Sequence, residues 1–165
     1  MRILSGFFLL FFILSAAVSD GNAASKEKTT VPDFTLPLLS KNDGSIHFKS
    51  VNQGHTVLLV FWATWCPSCI EEIPILNRWQ KKYAGKVKIL SVNVQEDAET
   101  IREFVRDNPV SYPILLDEDG KVTADFGLSG IPVALFIAKG GEVLYYSFSL
   151  PESLEPFLKQ GERSS

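Results

Sequence analysis

Cysteine and histidine are scarce in this 165-residue sequence: the only thiols are Cys66 and Cys69, and the only imidazoles are His47 and His55. A closed structural zinc site needs four soft or nitrogen ligands. Here both histidines precede the cysteines in polar, turn-like sequence and no third cysteine exists, so no such site is expected. Basic clusters are also missing and the net charge is only −3, which gives nucleic acid or an anionic membrane surface nothing to bind. There is no internal repeat and no low-complexity stretch. What remains is ordinary globular composition, 45% hydrophobic and 21% charged, at a length that suits one domain.

The N-terminus stands apart. Arg2 precedes an apolar segment from Ile3 to Val18, and small residues follow through Ala23 and Ala24. That order reads as a secretory signal over residues 1–23, with cleavage expected after Ala17, Ser19 or Ala23. The segment is shorter than the ~20 residues a membrane-crossing helix needs, although an uncleaved anchor is the alternative. No cysteine lies near it, which excludes a lipid-modified cysteine. Residues 24–30 form a polar lead-in, the folded domain is expected over 31–160, and 161–165 is a tail.

The two cysteines stand together in Trp65-Cys66-Pro67-Ser68-Cys69, after the apolar run from Val57 to Trp62. A buried strand should end there and a helix begin. Residues i and i+3 of a helix share a face at a spacing close to that of disulfide Cα atoms, so the pair can interconvert between dithiol and disulfide with little backbone motion. Unpaired amide hydrogens and the positive helix end favour a thiolate on Cys66 over one on Cys69, which makes Cys66 the expected nucleophile. As reinforcement the bridge would contribute little, because it closes a loop of only four residues.

Periodicity places short strands at Phe34–Leu36 and Ile46–Phe48 around the turn Lys41-Asn42-Asp43-Gly44, then core strands at Val57–Phe61 and Val87–Val94. A helix runs from about Pro67 to Tyr83, with Pro74 in its middle, and another spans Ala98–Asp107. Ile114–Leu116 is a short strand before the acidic run Asp117-Glu118-Asp119-Gly120, whose charges read as solvated turn residues. A short helix over Val122–Phe126, a hairpin of Val133–Ile137 with Glu142–Tyr146, and a helix over Glu152–Gln160 complete the chain. The expected fold class is α/β, a central mixed sheet with helices on both faces.

Several segments together resemble thioredoxin: Trp62-Ala63-Thr64-Trp65-Cys66-Pro67-Ser68-Cys69, Pro74-Ile75-Leu76, and Phe126-Gly127-Leu128-Ser129-Gly130-Ile131-Pro132. The opening Val31-Pro32-Asp33-Phe34, the extra helix and strand between Val94 and Gly120, and Glu72 three residues after Cys69 narrow the resemblance to exported thiol-disulfide oxidoreductases similar to the ResA and TlpA proteins. The resemblance implies a thioredoxin fold with an extra N-terminal β segment and a central helix-strand insertion. It makes Cys66 and Cys69 the redox-active disulfide, and puts Pro67 and Ser68 at the positions that tune its potential. Pro132 falls where the family has a cis proline, with Ile131 docking an extended substrate segment and Trp65 contacting partner proteins. Val133 departs from the usual Thr.

Glu72 shares a helical face with Cys69, and a partly buried carboxylate with a raised pKa can take the Cys69 proton; the alternative is a solvated acid like Glu71. Thioredoxin's buried acid belongs where this chain has Val60, which raises the interest of Glu72. The implied activity is disulfide exchange with exported protein thiols or disulfides, no cofactor or metal being required, with the pair recharged by a membrane redox partner. The direction expected is reduction, as in cytochrome c maturation, with apocytochrome c the first candidate client, in the periplasm or tethered to the outer face of the inner membrane. Two other functions are weighed on this fold. A copper-binding module needs wider cysteine spacing and a later histidine, and a peroxiredoxin-like peroxidase needs a proline and threonine ahead of its cysteine; Phe61–Trp65 does not reproduce that pattern.

Overall fold

A computed structural model describes residues 31–39 and 44–163. The expected signal, the lead-in, most of the turn at 41–44 and the end of the tail lie outside them. The elements in chain order are β1 (Thr35–Pro37), β2 (Ser45–His47), α1 (Phe48–Gly54), β3 (Thr56–Trp62), α2 (Pro67–Lys82), β4 (Val87–Val94), α3 (Ala98–Asp107), β5 (Ile114–Asp117), α4 (Lys121–Asp125), β6 (Val133–Ile137), β7 (Val143–Ser147) and α5 (Glu155–Arg163).

Five strands form one sheet in the order β5-β4-β3-β6-β7. β3 pairs in parallel with β4, and β4 with β5, whereas β6 runs antiparallel to both β3 and β7. The central β3 is apolar without alternation because both its faces are covered. Val57, Leu59 and Phe61 join Phe34, Leu36, Phe48 and Leu135 on the side of α1 and α4. Leu58 and Val60 join Leu76, Trp79, Phe136 and Leu154 on the side of α2 and α5. β1 and β2 form a separate two-stranded sheet, tied to the main one where Leu39 N donates to the Ile114 carbonyl at 2.8 Å. The thioredoxin-type mixed sheet, the N-terminal strand pair and the α3–β5 insertion are as expected.

Three expectations need correcting. Phe48 starts a helix instead of ending a strand: α1 turns its Phe48 and Asn52 inward, and the Asn52 amide donates to the carbonyls of His55 and Ala138 at 3.1 and 3.0 Å. The last helix begins at Glu155, after Leu154 has entered the core, and not at Glu152. Asp117 is fully buried rather than solvated. Its carboxylate accepts from Val122 N, Thr123 N and the Thr123 hydroxyl at 3.0, 2.8 and 2.6 Å, and so holds the start of α4.

Candidate active site

β3 delivers the chain to the head of α2, and the redox loop fills the gap. Cys66 is the N-cap of α2 and Pro67 the first helical residue, where a missing N–H costs nothing. Cys66 and Cys69 form a disulfide with Cα atoms 5.3 Å apart. The Cys66 sulfur accepts from Cys69 N–H at 3.3 Å and lies 3.6 Å from the Ser68 hydroxyl. Both sulfur residues are nearly covered, packed with Trp62, Ile73 and Ile101, while Trp65 beside them is 68% exposed.

The Ile131–Pro132 peptide is cis. Ile131 packs against the cluster that contains both cysteines, and Pro132 leads straight into β6. Trp65 and Ile131 also line a groove of about 420 Å³, together with Val94, Gln95, Thr123 and Leu128 among others. The structure therefore brings Trp65, Cys66, Cys69, Ile131 and Pro132 to one end of the sheet. The other exposed large apolar residues among the described ones, Tyr146 and Phe148, lie there too: Ser147 between them is paired with Ala134, two residues beyond Pro132, and their rings meet edge to face at 6.1 Å.

Glu72 is not a solvated acid. It is only 9% exposed, its Oε1 accepts from Leu150 N at 2.9 Å, and its Oε2 is buried without a partner. Burial pushes its carboxyl above the usual range, and the Leu150 hydrogen bond partly offsets that. Burial, and then the charge of Glu72, raise the phenol of Tyr112.

His47 is engaged elsewhere, with Nε2 2.9 Å from Asp33 and Nδ1 2.7 Å from the Ser50 hydroxyl. Among the described residues no group of three His, Cys, Asp or Glu is placed to hold a metal ion. No helix among them is long and apolar enough to cross a membrane.

Sequence reasoning missed Glu96. Its carboxylate accepts from Thr64 N at 2.7 Å, from the Thr64 hydroxyl, and from the Asn93 amide at 2.8 Å. An acid just past the end of a buried strand, level with the loop before a cysteine pair on the neighbouring strand, was the available signal.

The match to the Redoxin family model spans residues 26–153. The thiol-disulfide oxidoreductase ResA of Bacillus thuringiensis is 30% identical over 92% of each chain. The thioredoxin-like protein YneN of Bacillus subtilis is 32% identical over 72% of this chain and 69% of its own. Among solved structures, a Chlorobium tepidum protein assigned as the thiol:disulfide interchange protein DsbE is 27% identical and superposes with a TM-score of 0.69, covering 83% of this chain and 95% of that one. MTB DsbF, solved in mixed oxidized and reduced forms, is 27% identical with a TM-score of 0.66, covering 82% and 100%.

Proposed function

The chain belongs to the Redoxin family and is a thiol-disulfide oxidoreductase of the ResA type, and from that premise we propose that it reduces disulfides of exported proteins, with Cys66 as nucleophile, Cys69 as resolving thiol and Glu72 as the base that serves Cys69. The observation that carries this reading is the Cys66–Cys69 disulfide at the head of α2, against Ile131 and the cis Pro132.

In the dithiol state the Cys66 thiolate attacks one sulfur of the client disulfide. A mixed disulfide forms, and the client's other sulfur leaves as a thiolate and takes up a proton. Glu72 accepts the proton of Cys69, whose thiolate then attacks the Cys66 sulfur and releases the client's second thiolate. Two electrons have passed to the client, and the enzyme holds the disulfide seen here. A membrane dithiol donor returns it to the reduced state. Ile131 and Pro132 align an extended client segment, Trp65 covers its flank, and Pro67 and Ser68 set the electrostatics around the Cys66 sulfur. Apocytochrome c, whose haem-binding cysteines must be reduced before ligation, is the client class this reading favours.

Order of attack gives the test. Cys69→Ser should accumulate mixed disulfides with clients, because nothing releases Cys66, whereas Cys66→Ser should trap none. Equal trapping by both variants would overturn the assignment. The export reading rests on the apolar segment Ile3–Val18 and the small residues after it. Mass spectrometry of the exported protein should find a mature N-terminus between residues 18 and 24; intact chain confined to membranes would mean an anchor.

A further inference from the structure

The geometry points to Glu96 as a positioning residue for Cys66, acting through Thr64. The inference rests on Cys66 being the attacking thiol, and three observations carry it. First, the loop between β3 and α2 is short, and Thr64 stands two residues before Cys66. Both donors of Thr64, its amide and its hydroxyl, are held by the two oxygens of one carboxylate. Cys66 N in turn donates to the Ala63 carbonyl at 3.3 Å, so the backbone on either side of Thr64 is tied into one turn.

Second, the carboxylate is itself fixed. The Asn93 amide, wholly buried on β4 and in register with Trp62 at the end of β3, donates to Glu96 Oε2. Asn93 must point its NH2 at the carboxylate, which leaves its own oxygen buried without a partner. That is a costly arrangement for a merely structural contact.

Third, the backbone that presents Glu96 is strained. Gln95, which is not a glycine, has φ 57°, in the left-handed region. It is held there while Gln95 N donates to the Asp117 carbonyl at 3.0 Å, and while Asp97 caps α3 by accepting from Glu99 N and Thr100 N at 2.9 Å each. Strain of this kind persists where surrounding contacts over-determine it, and it collects at functional sites. The three consecutive residues thus fasten β5, the redox loop and α3 to one turn.

The chemical consequence lies in where the Cys66 sulfur sits. As N-cap it is stabilised as a thiolate only while it stays within reach of the Cys69 N–H and the Ser68 hydroxyl. Freeing Thr64 lets the Cys66 backbone rotate its sulfur away from the helix end, so the thiol should hold its proton to higher pH. Gln at position 96 keeps the tether: its oxygen accepts from Thr64 N and Asn93, and its NH2 donates to the Thr64 oxygen. Ala removes it.

The experiment measures the rate at which iodoacetamide alkylates Cys66 in the fully reduced protein as a function of pH, with the site read by mass spectrometry. The thiolate displaces iodide and no client is needed, so the result is independent of whether the wild type reduces any particular protein. Glu96→Ala should move the midpoint of the rate profile upward and slow alkylation near pH 7 by about threefold or more, while Glu96→Gln should stay within about twofold of wild type. Thr64→Ala, at a half-buried loop position, should shift the profile in the same direction by less. A wild-type profile in Glu96→Ala and Thr64→Ala, even with a lowered melting temperature, would overturn the proposal. So would Glu96→Gln falling as far as Glu96→Ala, because the charge and not the tether would then be responsible.

Discussion

Glu72 shows how one side chain can be tuned by where its helix is packed. Burial raises its pKa, and a single hydrogen bond from Leu150 N only partly compensates. A carboxyl whose folded pKa is raised leaves stability intact while it is protonated, and reduces stability as pH rises from the ordinary carboxylate range through its own higher value. Glu72→Gln removes that titration but keeps an acceptor for Leu150. The variant should therefore gain stability relative to wild type as pH climbs from about 4 to about 8, read as the difference in melting temperature of the two oxidised proteins. A difference that stays flat across that span would mean Glu72 titrates like a solvated acid and is unsuited to accept the Cys69 proton. Nothing in the spacing of Glu71 and Glu72 alone tells them apart. Their helical angle does, because Glu72 follows Cys69 by three residues onto the packed face while Glu71 points outward.

At the level of elements, what could be read from the sequence depended on length and periodicity. β4 and α3 match their expected bounds to the residue, since an eight-residue run with Val, Ile or Leu at five positions and a ten-residue helix closed by Asn108-Pro109 leave little ambiguity. α1 was missed because its seven residues put only Phe48 and Asn52 in the core, too few to show a 3.6-residue period, and because Ile46-His47-Phe48 alternates like a strand. Asp117 was misread since it sits in an acidic run, and its burial depends on α4 folding back over it. That fold-back is itself testable. Asp117→Ala strands two backbone amides and a hydroxyl inside the protein, and the loss of these charge-assisted bonds should cost about 3 kcal/mol in urea denaturation. Because α4 leads into the loop that carries Ile131 and Pro132, the same variant should reduce protein disulfides less well than it reduces a small aromatic disulfide. Equal losses on both substrates would disconnect α4 from client docking. The cysteine pair, the proline and the flanking Trp65 were legible because they are adjacent in sequence or punctuated by Gly and Pro. Glu96 and Leu150 were not, since their partners lie 32 and 78 residues away.

For the molecule as a whole, the sheet gathers the redox pair, the groove, and all three exposed large apolar residues of the described chain at one end, and leaves the direction of electron flow to electrostatics. A strongly oxidising pair is one whose dithiol form is favoured, which requires a well-stabilised thiolate. The Cys66 sulfur has the helix end, one N–H and one hydroxyl, all neutral groups. No cationic residue occurs in the chain between His55 and Arg78, while Glu71 and Glu72 follow within six residues of Cys66. A thiolate supported by neutral dipoles is less stable than one facing a histidine or lysine, so the disulfide should be comparatively favoured and the dithiol a willing donor. Equilibration with glutathione should accordingly place the potential well below about −180 mV, towards the roughly −270 mV of thioredoxin. A value above that bound would make the chain an oxidant or isomerase. The cytochrome maturation reading would then fail even if Cys66 proved to be the nucleophile.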